Sequence, residues 1–200
     1  MTIQTWPALS KFEPSSWEWS LVSNTQTFSS PLSGSVQTLE LPGARWRVSY
    51  QMNAMTAADS ALLRAWFAKL RGQSGRFYLH NMAQPTPRGD AGGTPVVSGA
   101  GQSGTTLSTS GWPANTPVLK EGDFFGVNGE LKIAVADVTS NGSGAASITF
   151  EPPLRSSPAN AAGITTTKPL AVFKLDEDTA RWTTVAGALS SFVITATEAW

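Results

Sequence analysis

Apolar and polar positions alternate at period two in two stretches near the N-terminus. In W-E-W-S-L, Trp17, Trp19 and Leu21 fall on one face of an extended chain. In the second stretch the apolar residues share one face and the polar residues share the other: Ala44, Trp46, Val48, Tyr50 and Met52 against Arg45, Arg47, Ser49 and Gln51. This alternation is typical of half-buried antiparallel strands.

The segment between these two strands is punctuated by turn-forming residues. Pro31, Gly34, Pro42 and Gly43 lie there and predict turns rather than a crossover helix. One face of the predicted sheet is rich in aromatic side chains, and the other carries arginines. We therefore expect a sheet that buries one side and offers the other to a partner, with Trp17, Trp19, Arg45, Trp46 and Arg47 as candidate interface residues.

One segment has the periodicity of a helix, predicted over residues 57–71. Thr56 is placed to cap its start, with Asp59 three residues later, and Gly72 is placed to end it. The predicted apolar face consists of Leu62, Leu63, Trp66, Phe67 and Leu70. The first domain is thus a small sheet with one helix packed on it.

The composition changes at residues 84–93, where proline and glycine become frequent. These residues are predicted to form an exposed and mobile junction. A second β unit follows, in which the pair Asn128-Gly129 predicts a tight hairpin and Pro152 ends a strand. The predicted strands of this unit are Thr94–Gly99, Thr105–Thr109, Asp123–Val127, Glu130–Asp137 and Ala145–Phe150. The last predicted strands of the chain are Leu170–Leu175 and Ser191–Thr197. Leu131, Ile133 and Val135 are expected to share one face, and Trp182 to end a polar turn.

These elements predict a mainly β protein with an inserted domain. The first domain is assigned to residues 1–84 plus 165–200, on the expectation that the C-terminal strands return to the first sheet. Residues 85–164 form the insertion, a small β-barrel or sandwich. A second loose stretch, residues 156–163, closes it.

Composition narrows the class of protein. Charged residues make up 14% of the chain and balance to a formal net charge of zero, which argues against electrostatically driven nucleic-acid binding. The combination of eight tryptophans and few charged residues is typical either of a protein that buries surface in an assembly or of a monomer with a tryptophan-rich core. No apolar run is long enough to span a bilayer, and no signal peptide is evident, so we expect the chain to be made in a cytoplasm.

Candidate chemistry is weak, and we predict no enzyme, no metal site and no cofactor. The stretch from Gly99 to Gly104 matches G-x-G-x-x-G, but the sequence after it is strand-like, so a flexible turn is favoured over phosphate binding. His80 is the only histidine, and the sequence contains no serine in a nucleophile motif that would complete a catalytic triad with it. The acidic triplet at residues 176–178 lacks the spacing of a calcium loop and reads as a solvated turn.

Several sequence runs resemble a known family. The run N-T-Q-T-F-S-S-P-L-S-G-S-V-Q-T-L-E-L-P-G-A-R-W, the helix containing L-R-A-W-F, and L-R-G-Q-S-G-R-F-Y-L are similar to tail proteins of long-tailed bacteriophages, and within these to distal tail proteins. The runs L-K-E-G-D-F-F-G-V-N-G-E-L-K and A-A-S-I-T-F-E-P-P-L-R resemble a second module of such proteins.

The resemblance implies a β-sandwich "belt" domain with one helix, assembled as a hexameric ring in the virion. The implied role is structural: the ring joins the tail tube to the distal tail. The implied partners are other copies of the chain, the tail tube protein and the tail hub or tip proteins, with the tape measure protein as a further candidate. Nucleic-acid specificity and membrane insertion are not expected.

Two other classes of function remain open. A carbohydrate-binding module for attachment to the host surface would need an exposed tryptophan, with Trp112 and Trp182 as the candidates. A hydrolase of cell-wall peptidoglycan is the weaker alternative, because no pair of carboxylates or nucleophile is distinguished in the sequence.

Overall fold

The computed structural model of the protein describes residues 2–10, 14–187 and 189–200. Over these residues the fold is mainly β, with antiparallel strand pairing and one α-helix, as predicted. The strands are β1 Ser16–Ser29, β2 Val36–Met55, β3 Phe77–Leu79, β4 Val96–Val97, β5 Thr106–Ser110, β6 Pro117–Leu119, β7 Phe124–Val127, β8 Glu130–Ala134, β9 Val138–Thr139, β10 Ala146–Glu151, β11 Ile164–Thr165, β12 Ala171–Leu175, β13 Trp182–Val185 and β14 Leu189–Glu198. The helix, α1, is Ala57–Leu70.

The chain divides into two compact units. Unit 1 comprises Met1–Ser20, Trp46–Ala83 and Pro169–Trp200, and unit 2 comprises Leu21–Arg45 and Gln84–Lys168. The segment Leu21–Arg45, which the sequence analysis assigned to the first domain, groups with the second unit. The C-terminal strands β12 and β14 pair with β3 and β2, so the end of the chain returns to the first sheet.

The sheet of unit 1 has the strand order β1-β2-β14-β12-β3, with β13 also pairing with β14. Along β2 the side chains of Trp46, Val48, Tyr50 and Met52 are buried, which confirms the alternation predicted for this strand. Antiparallel pairing with β14 sets Tyr50 opposite Ile194, so β2 and β14 share one buried face.

Helix α1 begins as predicted and ends one residue early. The Thr56 hydroxyl accepts a hydrogen bond from the backbone N–H of Asp59 at 3.2 Å, which satisfies a donor that the first turn leaves unpaired. At the other end Arg71 adopts the left-handed conformation expected of Gly72, with φ of 53°, and its N–H donates to the carbonyl of Phe67.

The buried apolar residues of α1 are Leu63, Trp66, Phe67 and Leu70. Leu62 was wrongly placed on this face, because its side chain is 48% exposed. Adjacent helical residues point about 100° apart, so the stripe that includes Leu63 and Trp66 leaves Leu62 on the flank.

The carboxylate of Asp59 accepts hydrogen bonds that the sequence does not predict. It is buried and accepts hydrogen bonds from the backbone N–H of Ser10 at 2.9 Å and from the hydroxyls of Ser10 and Thr56 at 2.5 and 3.2 Å. The start of the helix therefore holds the N-terminal segment of the chain in place.

Aromatic rings fill the space between α1 and the sheet. The ring of Trp66 lies 4.8 Å from that of Trp6, 5.3 Å from Phe67 and 5.0 Å from Phe77, measured between centroids. Its indole N–H donates to the backbone carbonyl of Thr5 at 3.0 Å. Trp66 thus combines a large apolar contact area with a satisfied polar atom.

Unit 2 is built around a nearly closed barrel. Its sheet has the order β11-β7-β8-β10-β5-β4, and Val96 in β4 bridges back to Gly163 beside β11. The N–H of Val97 donates to Ala162, and the N–H of Ala161 donates to Val97, both at 2.9 Å. The predicted small inserted β domain is therefore present, with β6 and β9 as an additional two-stranded ribbon.

The hairpin predicted at Asn128-Gly129 is confirmed. Strands β7 and β8 pair with Val127 opposite Glu130, and the two turn residues have φ of 52° and 76°. Positive φ at both central positions is the type I′ geometry that matches the twist of the flanking strands.

The predicted face of β8 is wrong in part. The strand ends at Ala134, Val135 is 41% exposed, and Lys132 is fully buried. The Lys132 ammonium donates to Glu130 Oε2 at 2.6 Å and to the carbonyl of Pro153 at 2.8 Å, so its charge is paired inside the unit. Trp182, expected in a turn, begins strand β13.

The junction at residues 84–93 is anchored, contrary to the expectation of a loosely held link. The carboxylate of Asp123, whose side chain has no exposed surface, accepts from the side chain of Gln84 at 2.7 Å and from the backbone N–H groups of Arg88, Gly89 and Lys120. Burial alone raises the pKa of Asp123, but these hydrogen bonds outweigh it and lower that pKa below its usual range.

Replacing Trp66 by Ala is expected to lower the free energy of unfolding by about 3–5 kcal/mol, because the change opens a cavity among packed rings. Leu62→Ala, on the exposed flank of the same helix, is the matched control and is expected to cost less than about 1 kcal/mol. Urea denaturation followed by circular dichroism measures both, and equal effects would mean that Trp66 is not a core residue.

Replacing Asp123 by Asn is expected to lower the free energy of unfolding by about 3 kcal/mol. The NH₂ group of the asparagine would face backbone N–H groups that donate hydrogen bonds to the carboxylate in the wild type, and two donors cannot pair. The lowered pKa of Asp123 contributes stability that is present above its ordinary pKa of 3.8 and is lost as the pH falls through the folded-state value. The stability gap between wild type and variant should therefore narrow below pH 4 in urea titrations. A gap independent of pH would contradict this assignment.

Candidate interaction surface

A two-stranded segment of unit 2 carries most of the exposed large apolar side chains of that unit. We call the segment Leu21–Arg45 the arm; it contains the outer parts of β1 and β2 and the turn between them. Six of its large apolar side chains are exposed: Leu21, Val22, Phe28, Leu32, Val36 and Leu39. Phe28 and Val36 are 58% and 61% exposed, and Leu32 is 98% exposed. Exposed apolar side chains at this density usually mark an interaction surface.

The turn of the arm is fixed by local hydrogen bonds. The N–H of Ser30 donates to the carbonyl of Ser35, and the N–H of Gly34 donates to that of Ser30, both at 2.9 Å. Gly34 has φ of 69°, which glycine adopts without strain. The tip therefore has a defined shape.

Pro42 and Gly43 were wrongly assigned to a turn, because β2 runs through both of them. The carbonyl of Pro42 accepts from the side-chain amide of Asn24 at 2.8 Å, which ties this part of β2 to β1. Strand β14 pairs with β2 only from Arg47 onward, so the missing N–H of Pro42 removes no bond to β14.

Strand β1 is the end strand of its sheet. Its sequence, S-W-E-W-S-L-V-S-N-T-Q-T-F-S, contains one charged residue, Glu18, and neither Lys nor Pro. Soluble monomers usually protect an edge strand with charges, proline or a short length. A 14-residue edge without these features is a template for pairing with another chain.

The structure divides the predicted aromatic interface residues between core and surface. Trp46 is 5% exposed, and Trp19 is half-buried with its ring 6.2 Å from Trp46 and 5.8 Å from Phe173. The indole N–H of Trp19 donates to the Tyr50 hydroxyl at 3.1 Å. Burial raises the pKa of Tyr50, more than this hydrogen bond lowers it. Trp17, by contrast, is 46% exposed.

The two predicted interface arginines occupy different settings. Arg47 is exposed, and its guanidinium contacts the carboxylate of Asp176 at 3.0 Å, while Thr197 donates to the same carboxylate at 2.5 Å. The guanidinium of Arg45 donates to the carbonyl of Gly43 at 3.3 Å. Arg47 belongs to unit 1 and Arg45 to the arm.

Sequence reasoning missed the exposed face of the arm. The segment from Asn24 to Leu39 is poor in charge, and its apolar residues are spaced among Ser, Thr and Gln. The signal that could have revealed it is the length of uncharged β-prone sequence on both sides of a single turn.

The acidic triplet and the glycine-rich loop both form hydrogen bonds within the chain. Asp178 accepts from the backbone N–H of Gln73 at 3.0 Å. The side chain of Gln102 donates to the carbonyls of Ser98 and Gly99 at 3.0 Å, and the loop leads into strand β5 rather than a helix. Within the described residues no group of three or more His, Asp or Glu side chains is placed to hold a metal ion.

The two tryptophans proposed as sugar platforms differ. Trp112 is 5% exposed, and its indole N–H donates to the Thr109 hydroxyl at 2.7 Å, so it is a core residue of the barrel. Trp182 is 45% exposed and lines a groove of about 490 Å³ in unit 1. The guanidinium of Arg64 lies 5.8 Å from its ring centroid, and Phe192 packs at 6.2 Å.

Neither a family model nor a curated protein matches the sequence. In the part of the chain that the structure describes, α1 and any other helical segment fall short of the length and apolar character needed to cross a membrane.

Proposed function

We propose that this chain is a structural protein of a bacteriophage tail tip. In this role it forms an oligomeric ring, as a homo-hexamer, that joins the tail tube to the distal tail and hub. Its partners are then other copies of itself, the tail tube protein and the hub or tip proteins, with the tape measure protein as a further candidate. It is assembled in the host cytoplasm and resides in the virion, without catalysis.

The arm is the observation that carries this proposal. It supplies about 25 residues, which is the number that one side of a standard protein interface contributes. Its exposed apolar side chains cost free energy in water, and a partner that covers them would recover about 25 cal/mol for each Å² buried. An assembly protein has a use for such a feature, whereas a monomer does not.

The charge distribution supports the same role. The arm contains two charged residues, Glu40 near its base and Arg45 at its end, and the whole chain has a formal net charge of zero. Interfaces deplete charged residues in their centre, and equal neutral copies do not repel one another. The similarity of the sequence runs described above to distal tail proteins gives the particular assembly.

Removing the apolar side chains of the arm should prevent assembly without unfolding the chain. In the double variant Phe28→Ser with Val36→Ser, each change removes about 1.5–3 kcal/mol of burial at an interface. Self-association is therefore expected to weaken at least 100-fold, as measured by sedimentation and negative-stain microscopy, with an unchanged melting temperature.

The matched control for this experiment is Val135→Ser, which alters an exposed valine of the barrel. It is expected to assemble like the wild type. The proposal would be wrong if the double variant assembled normally, or if the wild type stayed monomeric and failed to bind tail tube protein at every concentration.

A carbohydrate-binding role is the second candidate, and Trp182 is the observation that favours it. Nearly half of this side chain is exposed beside a groove, and a sugar ring could stack on the indole if Arg64 moved aside. Trp112 no longer supports this role because it is buried.

If sugars bind at Trp182, host-wall polysaccharide should quench the tryptophan fluorescence of the wild type, and Trp182→Ala should abolish the quenching. Trp17→Ala removes a tryptophan of equal exposure and should leave the quenching intact. No quenching in the wild type would eliminate this candidate.

A further inference from the structure

The sequence contains two Asn-Gly pairs, and both lie in exposed turns of unit 2. They are Asn128-Gly129, between β7 and β8, and Asn141-Gly142, before β10. An Asn-Gly pair is chemically labile, because glycine has no side chain to hinder attack of its nitrogen on the asparagine carboxamide. Both groups belong to one chain, so their effective concentration is high. The surroundings of each pair therefore decide how fast it reacts.

The first pair is loosely held at the atoms that would react. The ladder of the hairpin ends at Val127 opposite Glu130, so the nitrogen of Gly129 lies beyond the last strand pair. A methyl group built on Gly129 would meet no described atom within 4 Å. In the part of the chain that the structure describes, the Asn128 side chain makes one hydrogen bond, from Nδ2 to the Ser156 hydroxyl at 2.9 Å. The carboxamide can therefore tilt toward the Gly129 nitrogen while Nδ2 stays beside Ser156.

The carboxamide of the second pair is held in place. Oδ1 of Asn141 accepts hydrogen bonds from the backbone N–H groups of Ser143 and Ala145 at 3.0 and 2.9 Å, and from the Ser143 hydroxyl at 2.8 Å. The backbone of Asn141 is also fixed, because its N–H donates to Ala145 and its carbonyl accepts from Gly144. Rotation of this side chain toward Gly142 breaks several hydrogen bonds, so ring closure has a higher barrier here.

We propose that Asn128-Gly129 is a self-modification site, at which the Gly129 nitrogen displaces ammonia from the Asn128 side chain with the Ser156 hydroxyl as proton donor. The product is a succinimide, which water opens to aspartate or isoaspartate. This inference is independent of the proposed assembly role.

The reaction proceeds in two balanced steps. The Gly129 nitrogen loses its proton to hydroxide and bonds to Cγ of Asn128, which becomes tetrahedral. Nδ2 is then no longer an amide nitrogen and carries a lone pair, so the Ser156 hydroxyl beside it can donate a proton as the Cγ–Nδ2 bond breaks and ammonia leaves. Water returns the proton to Ser156. A second water then opens the succinimide, at Cγ to give aspartate or at the main-chain carbonyl to give isoaspartate.

The two products differ in their effect on the hairpin. Aspartate suits the turn as asparagine does, because both residues tolerate the positive φ found at position 128. Isoaspartate routes the main chain through the side chain and adds a methylene group between Val127 and Glu130. That addition disturbs the β7–β8 register, in which Glu130 pairs with the buried Lys132.

Mass spectrometry of peptides from the whole folded chain, incubated in mildly alkaline buffer, compares the two pairs directly. Conversion exchanges NH₂ for OH and raises the peptide mass, and enzymatic methylation detects isoaspartate. We expect Asn128 to convert about tenfold faster than Asn141, because fewer hydrogen bonds must break. In urea, where neither turn persists, the two rates should converge. Equal rates in the folded chain, or a ratio that urea leaves unchanged, would overturn the proposal.

Two matched Ser→Ala changes at exposed positions are expected to act in opposite directions. Ser156→Ala removes the proton donor and should slow conversion of Asn128 by about tenfold, whereas Ser156→Thr retains a hydroxyl and should keep the wild-type rate. Ser143→Ala removes one hydrogen bond to Asn141 and should speed its conversion by about fivefold. An unchanged or faster rate at Asn128 in Ser156→Ala would show that Ser156 is not the proton donor.

The variant Asn128→Asp imitates the aspartate product and isolates the effect of isoaspartate. It should melt at the temperature of the wild type, and chains aged until isoaspartate accumulates should melt at a lower temperature. Equal melting temperatures for the aged chains and the variant would contradict the disturbance of the β7–β8 register.

Discussion

The structure depends on strand β2, which has two different halves. From Trp46 to Met52 every second side chain is buried, and this half pairs with β14 over the register Arg47–Thr197 to Met55–Ser190. The buried face of these two strands supports helix α1, whose Phe67 stacks on Phe192 at 6.1 Å. Before Arg45, the same strand has no β14 neighbour and forms one side of the arm. A single covalent strand therefore serves the core of unit 1 and the exposed surface of unit 2.

Local patterns in the sequence were enough to predict the elements whose stability is local. The alternation in β2, the Thr56 cap and the Asn128-Gly129 turn each act within a few residues, so each was read correctly. Strands β4, β6, β9 and β11 span only two or three residues, and distant partners alone define them. The burial of Lys132 depends likewise on the carbonyl of Pro153, twenty-one positions away.

The candidate interaction surface was harder to predict than the fold. Pro42 and Gly43 have the local character of a turn, and only the absence of a β14 partner at that point allows β2 to continue through them. Tryptophans posed the same problem, because Trp17 and Trp19 alternate identically in the sequence but differ in exposure. Whether an apolar side chain on a strand is covered is a property of neighbouring strands, which a single sequence does not specify.

The distribution of charge explains why contacts of the arm would rest on shape. In unit 2, Asp123 is enclosed by backbone donors, Lys132 is paired with Glu130, and Lys120 contacts Asp137 at 2.8 Å. These charges serve the interior and the loops of the barrel, and the arm retains only Glu40 and Arg45. In the proposed assembly, long-range electrostatic steering between copies is therefore weak, and specificity comes from the fit of apolar surfaces.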